Sequence, residues 1–373
     1  MGKEIRNTDI KVSNKVKIAR FILHQGETSK AEIASALNLS MPTVLQNIKL
    51  LMDEHIITEI GEYQSTGGRK AKALAISANE KYAVGIDITA NHINYVLVNL
   101  KGELVAHKRI RMVFEASLSY NQSLNLNLSR FLAETEVDLE LLLGVGISLP
   151  GIIDKESPAL IQSHILKIQN YSLKHLAQII PYSVYFENDA NSAAMAEFRY
   201  LDKNAIYLSL SRTVGGAIYM NRETYEGENY RSAEFGHMII EPRGKTCYCG
   251  KEGCLDAYCS AAVLDQHADE NLESFFQKLK QGDPALELIW ENYLDYLGIA
   301  VTNLRMAFDC DIMLGGDVGG YLENHMPALT QSLMKYNQFE NDTVYLKVCH
   351  YKKNAAAIGI AMAFVEKYFD TLS

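Results

Sequence analysis

The 373-residue sequence lacks the long apolar runs of membrane proteins. No uninterrupted apolar stretch approaches the roughly 18–20 residues that a membrane helix requires, and residues 1–17 contain no apolar segment typical of a secretion signal. Hydrophobic residues make up 48% and charged residues 22%, without the bias of disordered chains, collagens or coiled coils. We therefore expect a cytoplasmic globular protein of about two or three domains, with no membrane partner.

The sequence also lacks the excess of positive charge typical of proteins that only coat nucleic acid, because its net charge is −9. The charge is uneven, however. Residues 1–75 carry 11 Lys and Arg against 8 Asp and Glu, a balance of +3, which leaves −12 for the remainder. A basic segment ahead of an acidic body suggests that one part contacts a polyanion and the other does not.

The six cysteines do not suggest a disulfide framework. Cys247, Cys249 and Cys254 fall within eight residues, and Cys259 follows closely. In a cytoplasmic protein such clustering indicates a metal, and with His237 it forms a set that holds structural zinc in a closed tetrahedral shell. The alternatives are buried cysteines beside an unrelated histidine, or Cys259 as a competing ligand, although its place on a predicted helix favours packing.

Residues 14–52 predict three short helices. The second begins at Ser29, which has capping-box spacing with Glu32, and the third begins at Ser40, a favourable N-cap. Two helices joined by a tight turn form a helix-turn-helix, whose second helix lies in the major groove of DNA with its first residues at the base edges. The polar residues expected to face DNA on this helix are Ser40, Thr43, Gln46 and Asn47.

A β-hairpin is predicted after these helices. Strand-like runs at 56–60 and 73–76 flank a glycine-containing turn that carries Arg69 and Lys70, which could reach phosphate or the minor groove. Residues 1–76 are therefore predicted to be a winged helix-turn-helix DNA-binding domain. The alternative is a small helical module that binds another protein.

The remainder of the sequence predicts α/β architecture. Strand-like runs with short turns occupy residues 82–105, an amphipathic helix follows at about 119–134, and a strand-like run at 184–191 delivers polar groups to its carboxyl end before a helix at 191–199. The same order repeats once from residue 205. Ligands of α/β proteins bind at the carboxyl ends of strands, where this sequence places Asn188-Asp189.

Two such cycles resemble the actin-like sugar kinase fold, in which two lobes flank a cleft. Glu234 and His237, followed after nine residues by the cysteine cluster and Asp256, resemble the signature of the ROK family (repressors, open reading frames and kinases). The winged helix resembles the repressor branch, which includes regulators of xylose and N-acetylglucosamine use, so the resemblance covers essentially the whole chain. It implies a DNA-binding domain (1–76), a lobe 1 (77–190, completed by a C-terminal helix at 351–373) and a lobe 2 with the zinc loop (191–350).

The resemblance also implies a sugar pocket. In the family the zinc-bound histidine touches the sugar, so His237 and Glu234 are expected to contact sugar hydroxyls, and Asn188 and Asp189 match the family's pair on the pocket floor. Asp256 stands where the family usually has glutamate, which deepens the pocket by one methylene or removes the contact. From the residues alone, Asn188-Asp189 is also an ordinary helix N-cap, and the two roles are compatible.

Asp189 would be the general base in a ROK kinase. Such kinases also need glycine-rich turns whose backbone cradles the phosphates of ATP. The first turn, at 87–91, has lost both family glycines and the second, at 211–217, keeps two of five, whereas the adenosine-side turn at 315–320 is retained. Because added Cβ atoms block close approach of backbone to phosphate, we expect no kinase activity and no catalytic residues.

The sequence thus predicts a transcriptional regulator, a repressor of carbohydrate-utilisation genes such as those for xylose. A sugar or sugar phosphate between the lobes would change the spacing of two winged helices, in a homodimer or dimer of dimers, on paired operator half-sites. Three alternatives stay open: a ROK kinase that phosphorylates a hexose with ATP, a bifunctional kinase-regulator, and a regulator controlled by a protein partner.

Overall fold

The computed structural model describes most of the chain. The described residues are 13–63, 71–199, 201, 203–269, 271–337 and 339–372. Their helices are α1 (Asn14–Gln25), α2 (Lys30–Ala36), α3 (Met41–Asp53), α4 (Leu118–Ala133), α5 (Lys174–Ile179), α6 (Asp189–Phe198), α7 (Asp256–Cys259), α8 (Ala261–Asp265), α9 (Leu272–Lys280), α10 (Pro284–Phe308), α11 (Gly316–Leu322), α12 (Met326–Tyr336) and α13 (Ala355–Asp370).

The strands form four sheets within these residues. They are β1 (Glu27–Thr28), β2 (Ile57–Tyr63), β3 (Ala71–Ile76), β4 (Tyr82–Ile88), β5 (His92–Asn99), β6 (Leu104–Arg111), β7 (Leu142–Leu149), β8 (Ile152–Asp154), β9 (Ala159–Ser163), β10 (Ile168–Ser172), β11 (Val184–Asn188), β12 (Ala205–Leu210), β13 (Val214–Met220), β14 (Glu223–Thr224), β15 (Asp311–Gly315) and β16 (Leu346–Val348). Among the described helices, none combines the length and the apolar composition that a membrane span requires.

The helices α1, α2 and α3 pack with a small sheet of order β1-β3-β2, as in a winged helix-turn-helix. Ser29 and Ser40 each accept a hydrogen bond from the backbone N–H three residues on, so both predicted N-caps are confirmed. Val44, Ile48 and Leu51 form the buried stripe of α3, which leaves the opposite face of the helix exposed.

The first large sheet has the order β11-β7-β4-β5-β6, with β7 and β11 parallel to β4. Alternate residues of β4 face opposite sides of the sheet: Val84 and Ile86 share a core with α4, whereas Ala83 shares one with α13. A Cβ at Gly85 would overlap the carbonyl of Ala357, so the glycine allows α13 to lie directly on the sheet. The three-stranded sheet β10-β9-β8 shares the α4 core through Ile153 and Leu160, and we call both sheets and their helices lobe 1.

The second large sheet has the order β14-β13-β12-β15-β16. β15 is parallel to β12 and to β16, and β13 is antiparallel to β12. Leu208 and Ile312 of this sheet share a core with Leu297 and Val301 of α10. We call this sheet and its helices lobe 2. The repeated pattern of antiparallel strands and helix–strand units confirms the predicted α/β fold class.

The winged helix packs against the end of the chain, a contact that no local sequence pattern predicts. Ile18 and Ile22 of α1 share one hydrophobic core with Val365 and Phe369 of α13. Beside this core, Arg20 donates a hydrogen bond of 2.7 Å to Asp370. The last helix of lobe 1 therefore contacts the first helix of the winged helix.

Candidate functional site

A cavity of about 260 Å³ lies between lobe 1 and lobe 2. Its lobe 1 wall includes Asn188 and Asp189, where β11 ends and α6 begins, and its lobe 2 wall includes Glu234 and His237. The structure thus brings together four of the five residues for which a sugar contact was predicted.

Asn188 and Asp189 form the corner between β11 and α6. The side-chain oxygen of Asn188 accepts hydrogen bonds from the N–H groups of Ala190 (2.8 Å) and Asn191 (3.1 Å), and its amide donates to the carbonyl of Gly151 (2.9 Å). Asn188 is therefore the N-cap of α6, and the helix begins two residues earlier than the sequence predicts. Desolvation raises the pKa of Asp189 to about 6, and the nearby charge of Glu234 adds to this shift.

His237 has its two ring nitrogens in different surroundings. Nδ1 lies 3.8 Å from the sulfur of Cys247, whereas Nε2 lies 3.4 Å from the hydroxyl of Tyr248, which also lines the cavity. One nitrogen is thus directed to the cysteine cluster and the other to the cavity. Desolvation raises the pKa of the neighbouring Glu234, and the charge of Arg231 opposes that shift.

The predicted metal ligands come together in the structure. One donor atom each from His237, Cys247, Cys249 and Cys254 lies within 4.8 Å of all the others. Three thiols and one imidazole at this separation form a set of donors that could hold a metal ion. Cys259 is not part of this cluster among the described residues; it is buried, and its thiol donates to the carbonyl of Tyr293.

Asp256 lies apart from the other predicted sugar ligands. It is buried, its carboxylate accepts a 2.7 Å hydrogen bond from the backbone N–H of Val214, and it is absent from the described residues that line the cavity. Desolvation raises its pKa to about 6, and the hydrogen bond from Val214 opposes that shift. Because Val214 begins β13 directly after the turn at 211–213, Asp256 places a carboxylate beside the 211–217 segment.

In the turn at 87–91, Thr89 forms local hydrogen bonds with His92. The backbone N–H of Thr89 donates to the carbonyl of His92 (2.9 Å), and the Thr89 hydroxyl accepts from the backbone N–H of His92 (3.0 Å). Asp87 accepts hydrogen bonds from the side chains of Asn94 (3.1 Å) and Ser148 (3.3 Å). Desolvation and the charge of Asp189 raise the pKa of Asp87 to about 7.

The predicted DNA-contacting residues lie in the first half of α3 or directly before it. Ser40 and Gln46 are exposed, whereas Thr43 and Asn47 are half-buried, and the Asn47 amide donates to the backbone carbonyl of Thr43 (2.8 Å). Arg69 and Lys70, predicted for the wing, lie outside the described residues.

The family model of the ROK family matches residues 83–367. The chain belongs to the ROK family. It is 27% identical over 384 residues to the xylose repressor of Bacillus subtilis, a match that spans 98% of both chains. A crystal structure of a ROK family transcriptional regulator, a homologue of the E. coli Mlc protein, has a similar fold (TM-score 0.73, 20% identity, 97% of both chains). The ROK hexokinase from Thermus thermophilus is 26% identical and covers 75% of this chain and 97% of its own (TM-score 0.61).

This ROK chain also places a lysine in the cavity that the sequence analysis missed. Lys155 of lobe 1 donates hydrogen bonds both to Glu187 at the end of β11 and to Glu226 of lobe 2. Burial would lower its pKa, but the carboxylate of Glu187 and the other neighbouring groups raise it. Lys155 has no sequence motif around it, and its partners are 32 and 71 residues away, so local spacing gives no sign of this contact.

Proposed function

We propose that this ROK protein is a sugar-responsive, DNA-binding transcriptional repressor of carbohydrate-utilisation genes. The observation that carries the proposal is the presence, in one chain, of a helix-turn-helix that leaves Ser40 and Gln46 exposed and of a polar cavity between two kinase-like lobes. The similarity to the Bacillus subtilis xylose repressor supports it, because that match spans the winged helix as well as the lobes.

The DNA-binding half of the proposal rests on α3. Its N-terminal half would enter the major groove, with Gln46 and Asn47 suited to adenine edges and Ser40 and Thr43 able to contact either a base or the backbone. Arg69 and Lys70 would contribute phosphate or minor-groove contacts from the wing. Operator DNA is thus the proposed macromolecular partner.

The sugar-binding half rests on the cavity. A sugar hydroxyl both donates and accepts a hydrogen bond, and the cavity offers a carboxamide at Asn188, carboxylates at Asp189 and Glu234, and an imidazole nitrogen at His237. The proposal retains these four residues. Asp256, whose carboxylate is bonded to Val214, would support the site by holding the turn at 211–217.

Zinc is the proposed occupant of the cysteine cluster. Three cysteines and one histidine fit its tetrahedral preference, and four protein ligands leave no open position for a catalytic water. When bound, zinc would supply a structural cross-link of the loop. His237 would then be held through Nδ1, so that Nε2 stays directed to the cavity.

A structural connection joins the cavity to the winged helix. Asn188 and Asp189 begin α6, α6 packs along α13, and α13 packs against α1. A sugar that binds both walls would draw the lobes together and move α13 with lobe 1. In a homodimer or dimer of dimers, this movement would change the spacing of two winged helices and spoil their register on paired half-sites, provided that the sugar binds the closed state more tightly.

Sugar kinase activity is the second candidate, favoured by the similarity to the Thermus hexokinase and by a pKa of about 6 for Asp189, which suits a general base. Two observations argue against it. In the first phosphate-binding segment, at 87–91, the Thr89 N–H already donates to the carbonyl of His92. In the second segment, at 211–217, the Val214 N–H already donates to the buried carboxylate of Asp256. We therefore propose that the protein is not an enzyme.

Fluorescence anisotropy of the full chain on DNA upstream of its own gene, at fixed salt, tests the proposal. A panel of sugars and their phosphates is titrated into the complex; we expect one of them to release the DNA. Tight binding that ignores every sugar would contradict the sugar response and favour a protein partner. Small-angle scattering that shows no ligand-dependent change while DNA is released would contradict lobe closure.

The same preparation tests the kinase alternative. ATP turnover with a hexose, lost in Asp189→Asn, would contradict the non-enzyme proposal. Absence of turnover in a preparation that releases DNA with sugar is the expected result.

A further inference from the structure

Carboxylates outnumber cations in the cavity between the lobes. The charged side chains that line it are Lys155, Glu187, Asp189, Glu226, Arg231 and Glu234. Four carboxylates against two cations give a formal charge of −2, so an anionic ligand would enter against a net repulsion.

The ammonium group of Lys155 is not available to such a ligand, because it already forms ion pairs with two carboxylates. Glu187 is buried with a 1% exposed side chain and bonds to Lys155 from lobe 1, and Glu226 bonds to it from lobe 2. The ring of Tyr185 lies beside the same ammonium group. A phosphate would have to displace a carboxylate before it could contact this lysine.

The backbone at the start of α6 is occupied as well. The N–H groups of Asn188, Ala190 and Asn191 already donate to side-chain oxygens of Glu187, Asn188 and Asp189. A helix N-terminus can bind phosphate through such N–H groups, but here side-chain oxygens of the protein already accept their hydrogen bonds. Arg231, the second cation of the cavity, is exposed at its edge and faces the charge of Glu234.

We propose that Glu226 and Glu187, by enclosing Lys155 across the two lobes, make the cavity select an uncharged sugar and reject sugar phosphates and sugar acids. The inference rests on the proposed sugar response and narrows its ligand class. Glu226 is the specificity-determining residue of the pair, because it reaches Lys155 from the opposite lobe. We call this exclusion of anionic ligands the charge filter. Because Lys155 and Glu226 belong to different lobes, the charge filter is complete only when the two lobes are close together.

Isothermal titration calorimetry of the full chain tests the inference with D-xylose, D-glucose, N-acetylglucosamine, glucose 6-phosphate and N-acetylglucosamine 6-phosphate. At least one uncharged sugar is expected to bind, and the phosphates are expected to bind at least about tenfold more weakly than their parent sugars. A phosphate that binds as tightly as its parent sugar, or more tightly, would overturn the inference while leaving the sugar response intact.

A matched pair of variants tests the role of Glu226. Glu226→Gln frees one side of Lys155 and is expected to narrow the preference for glucose over glucose 6-phosphate by several-fold. Glu228→Gln, two residues away, exposed and outside the cavity, is expected to leave that ratio unchanged. An unchanged ratio in Glu226→Gln would overturn the assignment.

Two further results of these binding measurements would overturn the inference. Phosphate binding that Arg231→Ala abolishes would show that Arg231 forms an anion site, and would overturn the inference. Binding of no sugar or phosphate would overturn both the sugar response and the charge filter. DNA binding, measured separately by anisotropy, shows in each case whether the DNA-binding half of the proposed function holds.

Discussion

Gly359 of α13 lies directly against the backbone carbonyl of Ser192 on α6. A Cβ at position 359 would overlap the carbonyl of Ser192 and crowd the backbone N of Ala196, and these atoms cannot move without displacing α6. Because α6 begins at the cavity corner formed by Asn188 and Asp189, this contact fixes the cavity relative to the last helix.

The variant Gly359→Ala is therefore expected to destabilise the protein. Forcing a methyl group into this contact costs roughly 1–3 kcal/mol or more of the free energy of unfolding, measured by urea denaturation. Gly320→Ala on α11 is the control, since its Cβ would lie 3.4 Å from its nearest neighbour and helix propensity favours alanine by up to about 1 kcal/mol. A Gly359→Ala variant as stable as the wild type would show that the two helices separate easily.

Removal of one thiol tests the metal cluster. Cys249→Ala is expected to lose bound zinc and to unfold at a lower temperature, because metal binding and folding of the loop are linked. Metal content by mass spectrometry and thermal unfolding give the two readouts. Cys310→Ala, a buried cysteine outside the cluster, is expected to keep its zinc. Full metal content in Cys249→Ala would contradict the assigned ligands.

Substitution of Gln46, which is exposed on α3, is expected to reduce recognition of the operator sequence. Gln46→Ala is expected to weaken operator binding by about 1–3 kcal/mol, roughly tenfold or more in Kd, because a bidentate base contact is lost. Anisotropy on operator and on unrelated DNA at equal salt measures it. Gln281→Ala, an exposed glutamine in lobe 2, is the control. An equal loss on both DNAs would indicate a phosphate contact instead.

The raised pKa of Asp87, about 7 in the folded protein, predicts a pH dependence of stability. An unfolded aspartate titrates near 3.9, so between about pH 4 and 7 the folded state binds more protons than the unfolded state. The free energy of unfolding should then fall as pH rises through this window, by up to about 1.4 kcal/mol per pH unit, and level off above it.

Asp87→Asn keeps the shape of this side chain and removes its titration. Urea unfolding at pH 5 and pH 8 is expected to show a smaller loss of stability in this variant than in the wild type. Asp53→Asn, an exposed position at the end of α3, should keep the wild-type difference. If Asp87→Asn also kept it, other groups would cause the pH dependence.

Features that depend on a few neighbouring residues could be predicted from the sequence. Ser29 and Ser40 cap their helices by accepting hydrogen bonds from N–H groups three residues away. Such a cap involves only residues of one short segment, so a serine directly before a helical pattern is enough to predict it. The metal cluster was predictable for a related reason, because three cysteines within eight residues of one loop must lie close together in space. The start of α6 was misplaced because Asn188 ends a strand and caps a helix at once.

The sequence alone determined the α/β class, the helix caps and the residues of the metal cluster, because each follows from hydrophobic periodicity or from spacing within one segment. Tertiary structure decided the rest. It turned Asp256 to the backbone of Val214, enclosed Lys155 between carboxylates of both lobes, and placed α1 on α13. These contacts join segments far apart in the chain, and only the packing of two sheets and their helices brings such segments within hydrogen-bonding distance.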